Sequence, residues 1–123
     1  MNPGKLIAVI DDEPDSLLTV SSVLKRKGFR VITGHSGFGI DSILDKKPDL
    51  ILIDINMPGK SGSDICRQLK AKVATRSIPV ILISGNADIG PEYVASYADN
   101  YLQKPFGVSQ LINVINKSIA RVL

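Results

Sequence analysis

The run Leu50-Ile51-Leu52-Ile53 is uninterrupted hydrocarbon, stops at the carboxylate of Asp54, and is turned away by Met57-Pro58-Gly59. Three other strand-like runs also lead into polar residues. Residues 5–10 lead into Asp11-Asp12-Glu13, residues 78–83 into Ser84-Gly85-Asn86, and residues 100–103 into Lys104-Pro105-Phe106. If these runs are neighbouring parallel strands, their polar ends meet at the carboxyl edge of the sheet, where open α/β folds hold their ligands. Three carboxylates gathered there repel one another by several kcal/mol at intermediate dielectric, so positive charge must offset them. The Lys104 ammonium and a hard divalent cation are the natural sources. Mg²⁺ takes one or two carboxylates together with water and phosphate oxygens, which suits Asp12 as direct ligand and Asp11 through water. Asp54 is then a nucleophilic carboxylate able to form an acyl phosphate, with Ser84 and Lys104 placed to donate to the transferring phosphoryl group.

The elements that must position these residues are legible in the same sequence. Residues 50–53 and 78–83 are uniformly apolar, as strands buried on both faces require. Between the apolar runs lie stretches with helical periodicity. Residues 14–27 open on Pro14, carry Leu17, Val20, Ser21 and Leu24 on one face, and stop at Gly28. Residues 29–33 form a second strand. A helix over 37–46 follows, capped by Ser36 and turned inward through Ile40, Ile43 and Leu44. Residues 62–72 carry Ile65, Cys66 and Leu69 as a stripe, Pro91 opens a short fourth helix through Ala98, and residues 108–121 carry Val108, Leu111, Ile112, Ile115 and Ile119. Five strands alternating with five helices, without hairpin signals, predict an α/β, doubly wound, five-stranded parallel sheet covered on both faces.

Composition bounds the alternatives. A chain of 123 residues, 44% hydrophobic, fits one domain with an ordinary core and no second domain. No apolar run approaches the roughly 20 residues needed to cross a bilayer, and the N-terminus lacks a secretory pattern, so a cytoplasmic location is expected. The single Cys66 excludes an internal disulfide and a thiolate metal cage. It packs as a small hydrophobe beside Ile65 and Leu69. The net charge of +3 is mild and scattered, and no stretch reads as a recognition helix, so neither direct nucleic-acid binding nor membrane attachment is expected. His35 follows Gly34 in a strand–helix connection and reads as a surface residue.

Taken together, VIDDE at 9–13, PDLILIDINMPGKSG at 48–62, IPVILISG at 78–85 and YLQKPF at 101–106 resemble the receiver domain of two-component response regulators, including the chemotaxis-type members. The resemblance covers nearly the whole chain, about 5–121, and residues 1–123 are read as one receiver domain with no output domain in this chain, either free-standing or cut from a larger regulator. It implies a flavodoxin-like sheet in the order 2-1-3-4-5. It further implies that Asp54 accepts a phosphoryl group from a histidine kinase or a histidine phosphotransfer protein. Asp11, Asp12, Asp54 and the backbone carbonyl of Asn56 would hold Mg²⁺, Ser84 and Tyr101 would act as the switch pair, and Lys104-Pro105 would be a cis peptide. Such a protein catalyses only its own phosphorylation and dephosphorylation, acts on a downstream protein target, and is a monomer or weak homodimer.

Three features depart from the family pattern. Ser84 and Lys104 are 20 positions apart, an interval shorter than the family's, which implies a shortened fourth helix near Gly90-Pro91. Tyr97 stands where the family carries a glycine before Ala98, and Gly85 replaces a common alanine. Asn56 and Asn86 flank the site and would tune the access of water to an acyl phosphate.

Plainer roles compete at several positions. Asp11 and Asp12 also suit a cap on the first helix, Glu13 belongs to that helix start, and Tyr101 also fits a fixed, half-buried strand aromatic. At the level of function, a receiver-like interaction scaffold indifferent to phosphate is the alternative. A phosphatase working through an aspartyl phosphate is disfavoured, because the second residue after Asp54 is Asn56 rather than an acid.

Overall fold

The computed structural model describes residues 4–35, 39–85 and 90–120. The chain alternates strand and helix throughout: β1 (Leu6–Ile10), α1 (Pro14–Arg26), β2 (Arg30–Gly34), α2 (Ile40–Asp45), β3 (Leu50–Asp54), α3 (Gly62–Ala71), β4 (Val80–Ser84), α4 (Gly90–Ser96), β5 (Asn100–Gln103) and α5 (Val108–Ala120). The strands form one sheet in the order β2-β1-β3-β4-β5, every pair parallel. Parallel strands need crossovers, and α1 to α4 each supply one, while α5 follows the last strand and packs back on the sheet.

The pleat explains why the three central strands read as unbroken apolar runs. Alternate side chains of β1 and β3 go to opposite faces: Ile7, Val9, Leu50 and Leu52 pack with Leu24, Leu111, Ile115 and Ile119 from α1 and α5. Ala8, Ile10, Ile51 and Ile53 join Ile43, Ile65, Cys66 and Leu69 from α2 and α3. Burying each large aliphatic side chain contributes about 1.5–3 kcal/mol, so both faces must be covered for the sheet to persist. The edge strands β2 and β5 are partly exposed.

Boundaries differ from the sequence reading where backbone chemistry overrides the apolar pattern. The expected start of β4 at 78 moves to Val80, because Pro79 has no N–H to offer while its carbonyl accepts from Ile51. The second strand shifts by one residue: Phe29 is buried beneath α1 before β2 begins at Arg30. α2 begins at Ile40 rather than 37, with Gly39 in the left-handed region at φ +80° as its N-cap. The expected cap Ser36, with Gly37, lies outside the described residues, as do Asn86 and residues 121–123. α4 ends at Ser96 instead of Ala98 because Tyr97 turns left-handed, at φ +62°. That is the position where the family's glycine would stand.

At the amino edge of the sheet, aspartates fasten neighbouring strands. Asp49, just before β3, accepts the Leu6 N–H of β1 at 2.8 Å. Asp99, just before β5, accepts the Val80 N–H of β4 at 2.8 Å and the Lys70 ammonium at 2.6 Å.

Candidate functional site

The carboxyl edge gathers the predicted residues from four different strands. Asp54 is the last residue of β3, and its strand register with Ile83 places it one step from Ser84 at the tip of β4. Asp11 follows β1 directly, held by its N–H on the Gly34 carbonyl at 3.0 Å. Lys104 follows β5, and its N–H donates to the Ser84 carbonyl at 2.7 Å, so the lysine and serine backbones are tied together.

The side chains converge. Carboxylate oxygens of Asp11, Asp12 and Asp54 all lie within 4.8 Å of one another. Lys104 Nζ donates to Asp54 Oδ2 at 3.0 Å and to Asp11 Oδ2 at 3.4 Å. The remaining oxygens are held by backbone: Asp54 Oδ1 accepts the Asn56 N–H at 2.8 Å, and Asp11 Oδ1 accepts the Glu13 N–H at 3.0 Å. Asp11, Asp54 and Ser84 are buried, whereas Asp12 is exposed. Burial pushes the Asp11 carboxyl above its usual range; the Glu13 N–H opposes this, and the neighbouring Asp54 adds to it. For Lys104, burial works against the ammonium, but the hydrogen bond and charge of Asp54, followed by those of Asp11, outweigh it and raise its pKa.

Three carboxylates face one ammonium, all with hard oxygen donors and with Asp12 open to solvent. At separations near 4 Å each carboxylate pair costs about 4 kcal/mol at an effective dielectric of 20. This donor set fits Mg²⁺ and offers nothing to a softer, thiolate-seeking metal.

The remaining predicted residues stand around this centre. Asn56 is exposed at the start of the β3–α3 loop. Tyr101 on β5 is 42% exposed, and its ring packs against Tyr93 of α4 with centroids 5.1 Å apart. The Lys104–Pro105 peptide is cis. Glu13 is the N-cap of α1 and makes no side-chain capping bond. His35 is exposed, and Cys66 is buried, with burial pushing its thiol up to about 11. A groove of about 410 Å³ leads from Asp11 and Lys104 past Phe106 to Asp15 and Thr19 on α1.

One contact escaped the sequence reading. Gly62 opens α3 directly over Asp54, and its own N–H donates to the Ile55 carbonyl at 3.1 Å. The GKSG run at 59–62 marks a turn, but nothing in its composition tells which of the two glycines is needed for close approach.

Comparison with known proteins agrees with this geometry. Residues 7–116 match the family described as the response regulator receiver domain. The cell cycle transcriptional regulator CtrA of Caulobacter vibrioides is 34% identical over 120 residues, covering 94% of this chain and 50% of that protein. The chain thus spans about half the length of the curated relatives it matches. Among solved structures, a response regulator receiver domain protein from Clostridium thermocellum superposes with a TM-score of 0.85 at 32% identity, covering 95% of each chain. The response regulator TrrA of Thermotoga maritima, solved in complex with Mg²⁺-BeF, gives 0.83 at 26% identity, covering 97% of this chain and 99% of that one. Fold, acidic cluster and sequence agree: the chain belongs to the response regulator receiver domain family.

Proposed function

We propose that Asp54 is the phosphoacceptor of a two-component relay, charged by a sensor histidine kinase or histidine phosphotransfer protein in the cytoplasm, and that residues 1–123 act as one receiver domain. The observation that carries this reading is the bond from Lys104 to Asp54 at 3.0 Å beside the Asp11–Asp12 pair. It leaves one buried carboxylate compensated, oriented and next to further acids.

Asp54 attacks the phosphorus of a phosphohistidine; a P–O bond forms, the P–N bond breaks, and the imidazole leaves with its electron pair. Asn56 N–H on Oδ1 fixes the rotation of the carboxylate. Lys104, already positioned, turns its ammonium from the carboxylate to a phosphoryl oxygen, and Ser84 supplies a hydroxyl to another. Asp11, Asp12, Asp54 and the Asn56 carbonyl would hold Mg²⁺, which would supply positive charge against the phosphoryl oxygens. The groove lined by Asp11, Lys104 and the α1 residues Asp15 and Thr19 lies beside the site, where a donor protein would approach. Turnover is confined to the protein's own phosphorylation and dephosphorylation.

The new dianion then draws Ser84, and Tyr101 moves from its place against Tyr93. The test is treatment with Mg²⁺ and phosphoramidate, a P–N donor, followed by amide NMR. Shifts centred on Asp54 and extending to Ser84 and Tyr101 are expected. Phosphorylation that leaves Ser84 and Tyr101 unmoved would remove the switch and favour a scaffold indifferent to phosphate.

A further inference from the structure

A Cβ placed on Gly62 would lie 2.2 Å from the Asp54 carbonyl oxygen, 2.8 Å from its carbonyl carbon and 3.1 Å from Ile53 Cγ1. Ordinary contact begins more than an ångström farther out, and the obstruction is backbone, which cannot swing aside as a side chain would. Gly62 is therefore required for close approach rather than for an unusual φ.

We propose that Gly62 is a positioning residue for Asp54, acting by seating the first turn of α3 on the peptide of the phosphoacceptor. This rests on the reading of Asp54 given above. The segment from Asp54 to Gly62 is a loop whose two ends touch, closed by the Gly62 N–H on the Ile55 carbonyl at 3.1 Å. Neither end can retreat freely. Asp54 lies in a central strand, with Ile55 N–H bonded to the Ile83 carbonyl at 2.9 Å. α3 is anchored by buried Ile65, Cys66 and Leu69 and by Ser61, whose hydroxyl accepts the Asp64 N–H at 3.3 Å. Inside the closed loop lies Asn56, which orients Asp54 Oδ1 and, in the functional reading, presents its carbonyl to Mg²⁺. Whichever side yields to a side chain at position 62, the displacement passes into Asp54 or Asn56. A misplacement of about 1 Å costs on the order of a hundredfold in rate at a reacting centre.

The experiment compares wild type, Gly62→Ala and Leu69→Ala in the full chain, at a temperature where circular dichroism shows each folded. Leu69→Ala removes a buried contact from the same helix, away from the site. Mg²⁺ affinity is read from amide shifts, and the rate of phosphorylation by acetyl phosphate from intact mass. The expected result is a loss of roughly tenfold to a hundredfold in both for Gly62→Ala, with Leu69→Ala within twofold of wild type. Equal losses in the two variants, or Gly62→Ala within twofold of wild type, overturn the inference. If Gly62→Ala does not fold, the wild type decides: on Mg²⁺ titration the Gly62 amide should shift with the same midpoint as that of Asn56, and an unmoved Gly62 overturns the proposal. A wild type that neither binds Mg²⁺ nor accepts phosphate would instead remove the functional reading itself.

Discussion

The Lys104 ammonium donates to Asp54 Oδ2 across 3.0 Å, joining two strand tips that lie 50 residues apart. The pair is the electrostatic hinge of the site, because the same ammonium also reaches Asp11 at 3.4 Å. Lys104→Ala leaves both buried carboxylates without their ion-pair partner and removes the donor proposed for the phosphoryl group. Loss of one such donor costs roughly a hundredfold or more in rate. Phosphorylation by acetyl phosphate, followed as mass against time, should slow by that order. Lys104→Arg should recover little of it, since a rigid guanidinium fork does not reproduce a compact ammonium between two carboxylates.

Asp11 links the site to pH. Its folded pKa lies above the ordinary value of 3.8, with burial the largest cause. The fold therefore favours the protonated acid, and that contribution is present below the unfolded pKa and lost as pH rises through the folded pKa. Lys104, with its folded pKa above 10.5, contributes stability that is lost only in the alkaline range above that value. In metal-free buffer at pH 7, Asp11→Asn should melt higher than wild type. Saturating Mg²⁺ should narrow or reverse the difference, because ligand at a hundred times Kd stabilises by about 2.7 kcal/mol. Calorimetry with and without Mg²⁺ reads both signs.

Far from the site, Lys70 spends its donors on Asp99 Oδ2 at 2.6 Å, the Ile78 carbonyl at 2.7 Å and the Arg76 carbonyl at 3.1 Å. The lysine side chain is 10% exposed and Asp99 is 36% exposed. Breaking a fully buried pair costs about 3–5 kcal/mol; partial exposure brings Lys70→Met down to about 2 kcal/mol. Urea unfolding checks this, and the phosphorylation rate of the folded variant should be unchanged.

Tyr97 holds φ +62° with its side chain 70% exposed. A non-glycine residue in that region carries about 1 kcal/mol of strain, and the exposed ring returns little packing. Tyr97→Gly should therefore stabilise the protein by about 0.5 kcal/mol after the greater backbone entropy of glycine is counted. Chemical denaturation resolves a change of that size from the opposite sign.

How much of this was legible beforehand follows from which physical signals are local. Leu50 to Ile53 announce a central strand because burial on both faces forces a continuous apolar run, and Asp54 is conspicuous for ending it. Asp11, Ser84 and Lys104 come into view by the same logic. The meeting of Lys104 with Asp54 follows from parallel topology, which the alternation of elements dictates. Other features depend on three-dimensional partners. Asp49 and Asp99 fasten strands that are remote in sequence, so nothing beside them distinguishes them from loop aspartates. Gly62 matters because of the carbonyl above it, and the early end of α4 depends on the backbone angle at Tyr97, where the departure from the family's glycine was the available clue.

The most direct test is site-mapped mass spectrometry after incubation with Mg²⁺ and acetyl phosphate. One phosphoryl group on Asp54, absent when Mg²⁺ is chelated and absent in Asp54→Asn, is the predicted result. Phosphate on another residue, or none on Asp54 in a folded, Mg²⁺-saturated protein, would contradict the account.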